Sequence, residues 1–570
     1  MFISLPKPCE IILPSIVCAA ALGSLTPALA SQEGSGEVIK RFHFEEGISG
    51  GNGGLGHSVA GLGDVNGDGV PDILLGAPFL STLGMNENGA VMIYSGANGS
   101  LLRQFDGQQN RSDFGKSVAA LGDLDGDGVC DLGISAPEMN NPVGADGTVY
   151  VHSGATGALL AEVSNFSRCK SVVPCGDLDA DGTPDFLINQ SFNPVNVDAI
   201  SGRTFLRLHN WAQFSVDFGY SVAGAGDVDG DGHDDVIIGA RSESSGGLTR
   251  NGGAYIYSGA TGGQLHHFQG NQNDDYWGES VSGGADFDGD GLPEVLIGSS
   301  RTSSKGMSRN GAFAILSPMS GTILGFIHGI KPSSSLGSGS LAVIPDADGD
   351  GVCDILAGAH YVDVPGTAEI GAAYLWSGAT LSLLHEFLGY EFRGYFGHSV
   401  SGAGDLDGDG LEDLLIGSGI EHGSSGFGDV GAYVYSFRPL LKQSTSTISA
   451  AVGGILTLDL DFPLSAASTP YRVLVSARGT GPIHQGVDIP LSADHWFRQS
   501  VAEVYPFLSH TGMGGNLDGQ AQAQATISFG PGELPISLVG RTLWFCAVSK
   551  TDRRRKAAFS SVPRPVTIEP

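Results

Sequence analysis

The sequence predicts an all-β chain, a seven-bladed β-propeller followed by a β-sandwich. Two observations carry the propeller. An acidic loop close to D-x-D-x-D-G-x-x-D begins at Asp64, Asp123, Asp177, Asp227, Asp286, Asp346 and Asp405, in steps of 59, 54, 50, 59, 60 and 59 residues. Self-similarity at that period marks a repeat architecture. The second observation is what surrounds each loop: four short strand-like runs with turn residues between them, and four strands plus loops need about 50–60 residues.

The fourth repeat is the cleanest. Phe218 to Gly226 precedes the loop and is small and Gly-rich, which suits an innermost strand crowded at an axis. Val236-Ile237-Ile238-Gly239-Ala240 is a continuous apolar run, expected of a strand buried on both faces. Gly253 to Gly259 and Gln264 to Phe268 carry aromatic and polar residues, as outer strands do. The seventh repeat stops after its third strand, Gly431 to Ser436. The segment Val38 to Phe44, ahead of the first repeat, has the missing pattern and is expected to complete the seventh blade, leaving no open edge between first and last.

The repeat resembles the FG-GAP family, whose repeats build the seven-bladed propeller of integrin alpha chains. The Phe-Gly position holds Leu55-Gly56, Phe114-Gly115, Phe218-Gly219, Trp277-Gly278, Leu336-Gly337 and Phe396-Gly397; the third repeat departs with Arg168-Cys169. The Gly-Ala-Pro position holds Gly76-Ala77-Pro78, Ser135-Ala136-Pro137 and Gly239-Ala240-Arg241, and the third repeat reads Asn189-Gln190-Ser191 there. The resemblance covers residues 36–438 and implies a fold more than a ligand.

Three or four carboxylates within nine residues repel one another unless a hard cation sits among them. The expected ligands in the first blade are Asp64, Asn66, Asp68 and Asp72, with the backbone carbonyl of Val70. The matching sets are Asp123, Asp125, Asp127 and Asp131; Asp177, Asp179, Asp181 and Asp185; and Asp227, Asp229, Asp231 and Asp235. The last three blades give Asp286, Asp288, Asp290 and Glu294; Asp346, Asp348, Asp350 and Asp354; and Asp405, Asp407, Asp409 and Asp413. Oxygen ligands at alternate positions suit Ca²⁺, up to seven ions, and the absence of soft ligands at those positions disfavours zinc or copper. A β-branched run follows the loop, as in Val236-Ile237-Ile238, where an EF-hand or dockerin would need a helix. An acidic turn without metal is the plain alternative.

The formal net charge is −32, and it is unevenly placed: 11 Lys/Arg against 9 Asp/Glu from residue 441 onward leave that part at +2 and the rest at −34. Such acidity repels phosphates and excludes nucleic acid as a partner. Residues 1–30 read as a secretory signal, with Lys7, an apolar stretch from Ile11 to Leu25 and a small-x-small site at Ala28-Leu29-Ala30. No later stretch reaches 18 apolar residues, so no transmembrane segment is expected after signal removal. Five cysteines follow the signal, Cys130, Cys169, Cys175, Cys353 and Cys546, too few and too scattered for a disulfide framework. Cys169 and Cys175 would lie about 20 Å apart on one extended strand, too far to bridge.

No G-x-S-x-G elbow or H-E-x-x-H motif appears. Ser58, Ser117, Ser221, Ser280 and Ser399 recur at one blade position, which favours a structural role, and His57 and His398 share the neighbouring position and read as blade surface. Binding fits better than catalysis. The connections after second and fourth strands vary most. One set holds Arg241, Arg250, Arg301, Lys305, Arg309, His360 and Tyr361; the other holds Asn210, Trp211, Asp275, Tyr276, Tyr390, Phe392, Arg393 and Tyr395. Exposed aromatic and Arg side chains suit a protein or glycan ligand, although some of these aromatics are expected to pack between blades.

After a linker at 439–447, residues 448–570 hold apolar runs at Ile455–Leu460, Tyr471–Val475, Ala523–Phe529 and Thr542–Val548, bounded by Gly and Pro, which read as a β-sandwich. Arg553-Arg554-Arg555-Lys556 reads as a solvated loop, with docking to an anionic surface as the sharper alternative. The expectation is a monomeric, secreted or cell-surface, calcium-binding propeller for adhesion or extracellular recognition. The alternative is an extracellular polysaccharide lyase or hydrolase built on the same scaffold.

Overall fold

The computed structural model describes residues 36–43, 53–137, 146–190, 196–213, 217–304, 306–364, 366–389, 392–419, 431–437 and twelve strand segments between 441 and 569. The signal segment, Lys305, Tyr390 and the basic run 553–556 lie outside the described residues.

Seven four-stranded antiparallel sheets follow one another along the chain. In six of them the strands pair in sequence order, for example Phe218–Gly226, Asp235–Ala240, Gly253–Tyr257 and Gln264–Gln269 in blade 4. The seventh is assembled from both ends of the propeller. Gly36–His43 pairs antiparallel with Gly431–Phe437, which pairs with Asp413–Ser418 and then Phe396–Gly404. The third strand of blade 7 would otherwise be an open edge; the N-terminal strand covers it.

Second strands are buried from end to end, as a strand packed on both faces must be; Asp235–Ala240 and Glu294–Ser299 show no exposed position. Their side chains feed seven apolar clusters, each shared by two neighbouring blades, so the core lies in the seams. The blade 7–blade 1 seam is built like the others: Leu55, Ile73 and Leu75 meet Ala403, Leu415 and Val434.

A second bond type crosses the seams. The Ser58 hydroxyl donates to the Gly115 carbonyl at 3.0 Å, Ser221 to Gly278 at 3.0 Å, Ser280 to Gly337 at 2.8 Å and Ser399 to Gly56 at 2.9 Å. This arrangement leaves no room for a side chain on the second strand: a Cβ at Gly239 would lie 2.1 Å from the Gly278 oxygen and 2.3 Å from Ser221 Oγ. Blade 3 solves the same problem differently. Asn189 replaces that glycine; its Nδ2 donates to the Gly219 carbonyl at 2.8 Å while its Oδ1 accepts from Ser171 Oγ at 2.7 Å. The third repeat's departure from the glycine pattern is therefore a compensated one.

The C-terminal part is a β-sandwich of two principal sheets, one including Gly454–Asp461 and Gln522–Phe529, the other Pro470–Ser476, Thr542–Lys550 and Arg564–Glu569. Leu456, Leu458, Val473, Ile527 and Phe545 are buried there. Residues 441–443, read from sequence as linker, pair instead with Gly454–Asp461 as an edge strand. Three residues without a long apolar pattern carry no strand signal by themselves.

Candidate metal centres and the opposite loop face

Antiparallel blades put the connections between strands 1 and 2 at one end of the propeller and those between strands 2 and 3 at the other. All seven acidic loops therefore share one face. In blade 4 the Asp227 carboxylate organises the turn: Oδ1 accepts the Gly230 and Asp231 N–H groups at 2.7 and 3.0 Å, and Oδ2 accepts that of Gly232 at 2.8 Å. Asp64 and Asp405 repeat the pattern. The fourth loop position needs a left-handed backbone, supplied by Gly230 at φ 76°; blade 3 places Ala180 there at φ 55°.

The ninth position does separate work. Asp72, Asp131, Asp185, Asp235, Glu294, Asp354 and Asp413 are all buried at the start of their second strands. Asp235 Oδ2 accepts from Val228 N–H at 2.9 Å, and Oδ1 accepts from Gly259 N–H at 3.0 Å in the turn after the third strand. Gly96, Gly154, Gly202 and Gly378 make the corresponding bond in four other blades.

Blade 5 has Pro318 where those blades have glycine, and proline has no N–H to give. Glu294 Oε2 still accepts from Phe287 N–H at 2.7 Å, but Oε1 is buried without a hydrogen-bond partner. Burial pushes Glu294 and Asp413 up to about 7, and Asp185 and Asp235 up to about 6.

The fold gathers three of the four sequence-predicted carboxylates in each of five loops. One carboxylate oxygen from each of Asp123, Asp125 and Asp127 lies within 4.8 Å of the others. The same holds for Asp177, Asp179 and Asp185; Asp227, Asp229 and Asp235; Asp286, Asp288 and Asp290; and Asp346, Asp348 and Asp354. In blade 1, Asn66 Nδ2 donates to Asp72 Oδ1 at 3.3 Å. Converging hard oxygens fit a divalent cation.

The FG-GAP repeat family pattern matches residues 55–94, 218–257 and 277–316. The chain is 33% identical to chicken integrin alpha-V over 215 residues, 33% of this chain and 20% of that one. It is 31% identical to Xenopus laevis integrin alpha-5 over 244 residues, 40% of this chain and 22% of that one. Human integrin alpha-7 is 33% identical over 149 residues, 24% of this chain and 12% of that one. The chain carries an integrin-alpha-like FG-GAP propeller. It spans less than a quarter of the length of these curated relatives.

The face opposite the acidic loops sorts the sequence-predicted binding residues into two groups. Trp211, Asp275, Tyr276, His360 and Tyr395 are buried. Trp211 belongs to a seam: its Nε1 donates to the Gly262 carbonyl at 2.9 Å and its ring lies 5.4 Å from that of Tyr257. Arg241 is also a seam residue, paired with Asp217 at 3.2 Å and Glu279 at 3.1 Å and lying over the Tyr220 ring. Arg301, Arg309, Phe392 and Arg393 are exposed. Arg301 lies 4.3 Å from the Tyr276 ring, with Arg250 at 5.7 Å, so one aromatic serves two guanidiniums.

At the axis of the FG-GAP propeller runs a channel of about 750 Å³. His57 and His398 line its mouth, His57 buried and His398 half-buried, which corrects their reading as blade surface. Sequence position placed them on an inner strand but could not show that neighbouring blades enclose them. Lys170 lines the same mouth; it donates to the Tyr220 carbonyl at 2.8 Å, and burial lowers its pKa to about 8. Among the described residues no helix is long and apolar enough to cross a membrane.

Proposed function

We propose that the protein is a secreted or cell-surface recognition module whose propeller binds Ca²⁺ in its seven acidic loops and an extracellular protein or glycan on the opposite face. The observation that carries this reading is the contrast between the two ends. One end repeats a single acidic turn with little variation, as a stabilising device would. The other differs from blade to blade and presents Arg301, Arg309, Phe392 and Arg393 to solvent. Variable, aromatic and Arg-bearing loops on a rigid frame are where specificity is built.

Calcium would be held by the carboxylates at loop positions 1, 3, 5 and 9, with Asn66 in blade 1, Glu294 in blade 5 and the carbonyl of Val70. Bound there, it neutralises carboxylates that otherwise repel and braces the hairpin between strands 1 and 2. Similarity to integrin alpha chains supports an adhesive role. The test is a screen of immobilised glycans and matrix proteins, with Ca²⁺ and with chelator. Calcium-dependent retention of a ligand is expected; turnover of a polysaccharide in that screen would establish the enzyme alternative instead.

A further inference from the structure

We propose that His57, His360 and His398 form a second kind of metal site, for one imidazole-preferring divalent cation such as Zn²⁺, at the channel mouth where blades 6, 7 and 1 meet. The three residues are far apart in sequence. His57 and His398 stand at the entry to the inner strands of blades 1 and 7, and His360 follows the second strand of blade 6, Asp354–Ala359. All three line the axial channel.

The spacing of His398 from each of the other two suits a shared ion. The His57 and His398 ring centroids are 4.7 Å apart, and those of His360 and His398 are 5.5 Å apart. Two imidazoles on one tetrahedral Zn²⁺, each at a Zn–N distance of about 2.0–2.1 Å, have centroids roughly 5 Å apart. Two further observations point to a ligand. Nδ1 of His57 and Nδ1 of His360 are buried with no hydrogen-bond partner, although each residue is only 8% exposed. A buried nitrogen left unpaired costs free energy unless something meets it. Nδ1 of His398 lies 3.3 Å from the His57 carbonyl. A carbonyl can only accept, so this contact fixes the proton on Nδ1 and leaves Nε2 as a lone pair, the arrangement that orients metal-binding histidines.

Burial keeps these rings neutral, the form that binds metal. Lys116 also acts on His57 and His398, and its charge would oppose a bound cation. That opposition gives the proposal a distinctive signature. A site for metal should gain affinity when Lys116 is neutralised, whereas a site for an anion should lose it. An ion held there would clip together the blades at which the ring closes.

The experiment uses the tag-free full chain, saturated with Ca²⁺ to fill the acidic loops, and titrated with Co²⁺ as a spectroscopic stand-in for Zn²⁺. Visible absorption and calorimetry report uptake, and melting temperature in Ca²⁺ alone reports folding of each variant. The expected result is one Co²⁺ per chain, displaced by Zn²⁺, with binding weakened at least tenfold in His360→Ala and in His398→Ala and strengthened several-fold in Lys116→Met. If His398→Ala fails to fold, His360→Ala and Lys116→Met decide. The proposal is overturned if His360→Ala binds Co²⁺ like the parent, if Lys116→Met weakens binding, or if inorganic sulfate stabilises the protein and Co²⁺ does not.

Discussion

The Ser399 hydroxyl donates to the Gly56 carbonyl at 2.9 Å across 343 residues of chain, closing the ring with the same bond that joins Ser58 to Gly115 inside it. The joint between the last blade and the first is thus chemically ordinary, and the N-terminal strand completes the outer edge of the last blade.

Deleting Gly36–His43 should expose the free edge of Gly431–Phe437. The truncated protein is expected to melt well below the parent and to associate, measured by calorimetry and light scattering. A truncation that remains monomeric with an unchanged melting temperature would show that the strand is dispensable.

Chelation should lower the melting temperature of the propeller substantially, because each loop then holds uncompensated carboxylates. Mg²⁺ should restore little of it, since it demands a tighter octahedral shell. Identical melting curves in chelator and in Ca²⁺ would remove calcium from the account.

The metal-free protein should also lose stability as pH rises. Burial holds Asp185 and Asp235 near 6 and Glu294 and Asp413 near 7, above the ordinary carboxylate range. A carboxyl with a raised folded-state pKa keeps its proton better when folded. Its contribution is complete below the unfolded pKa of about 4 and is lost as pH climbs through the folded value. Chelated protein should therefore melt lower at about pH 8 than at about pH 5, and saturating Ca²⁺ should abolish or invert that slope. A chelated protein that gains stability over the interval contradicts the assignment.

Asn189→Ala should destabilise blade 3 by about 1–3 kcal/mol, because Ser171 and the Gly219 carbonyl both lose their amide partner and the added Cβ keeps them from bonding to each other. Asn189→Gly should cost less, because Ser171 can then donate to the Gly219 carbonyl as Ser221 donates to Gly278. Denaturant unfolding of the two variants distinguishes them, and equal losses would contradict the compensation.

Replacing Arg301, Arg309 and Phe392 by Ala should weaken ligand binding several-fold while the melting temperature hardly moves, since all three are exposed. Arg241→Ala should instead cost stability, because it leaves Asp217 and Glu279 without their guanidinium. Asp231→Ala should also act on stability first. A metal-loop variant that loses binding at full stability would place the ligand on the acidic face.

The sequence by itself determined the blade count, the acidic loops and their candidate ligands, because period, alternation and turn residues are local properties written into each repeat. It also carried the main sandwich strands, whose apolar runs are long enough to read, but not short edge strands such as Leu441–Gln443. Only the tertiary structure decided which side chains face each other across seams. It made Trp211 and Arg241 packing residues and brought His57, His360 and His398 to one mouth. It also explained two departures from the repeat, Asn189 against Gly219 and Glu294 opposite Pro318. The reason is physical: burial and hydrogen-bond partnership at a seam depend on residues about fifty or several hundred positions away, and no local pattern encodes what the neighbouring blade will place there.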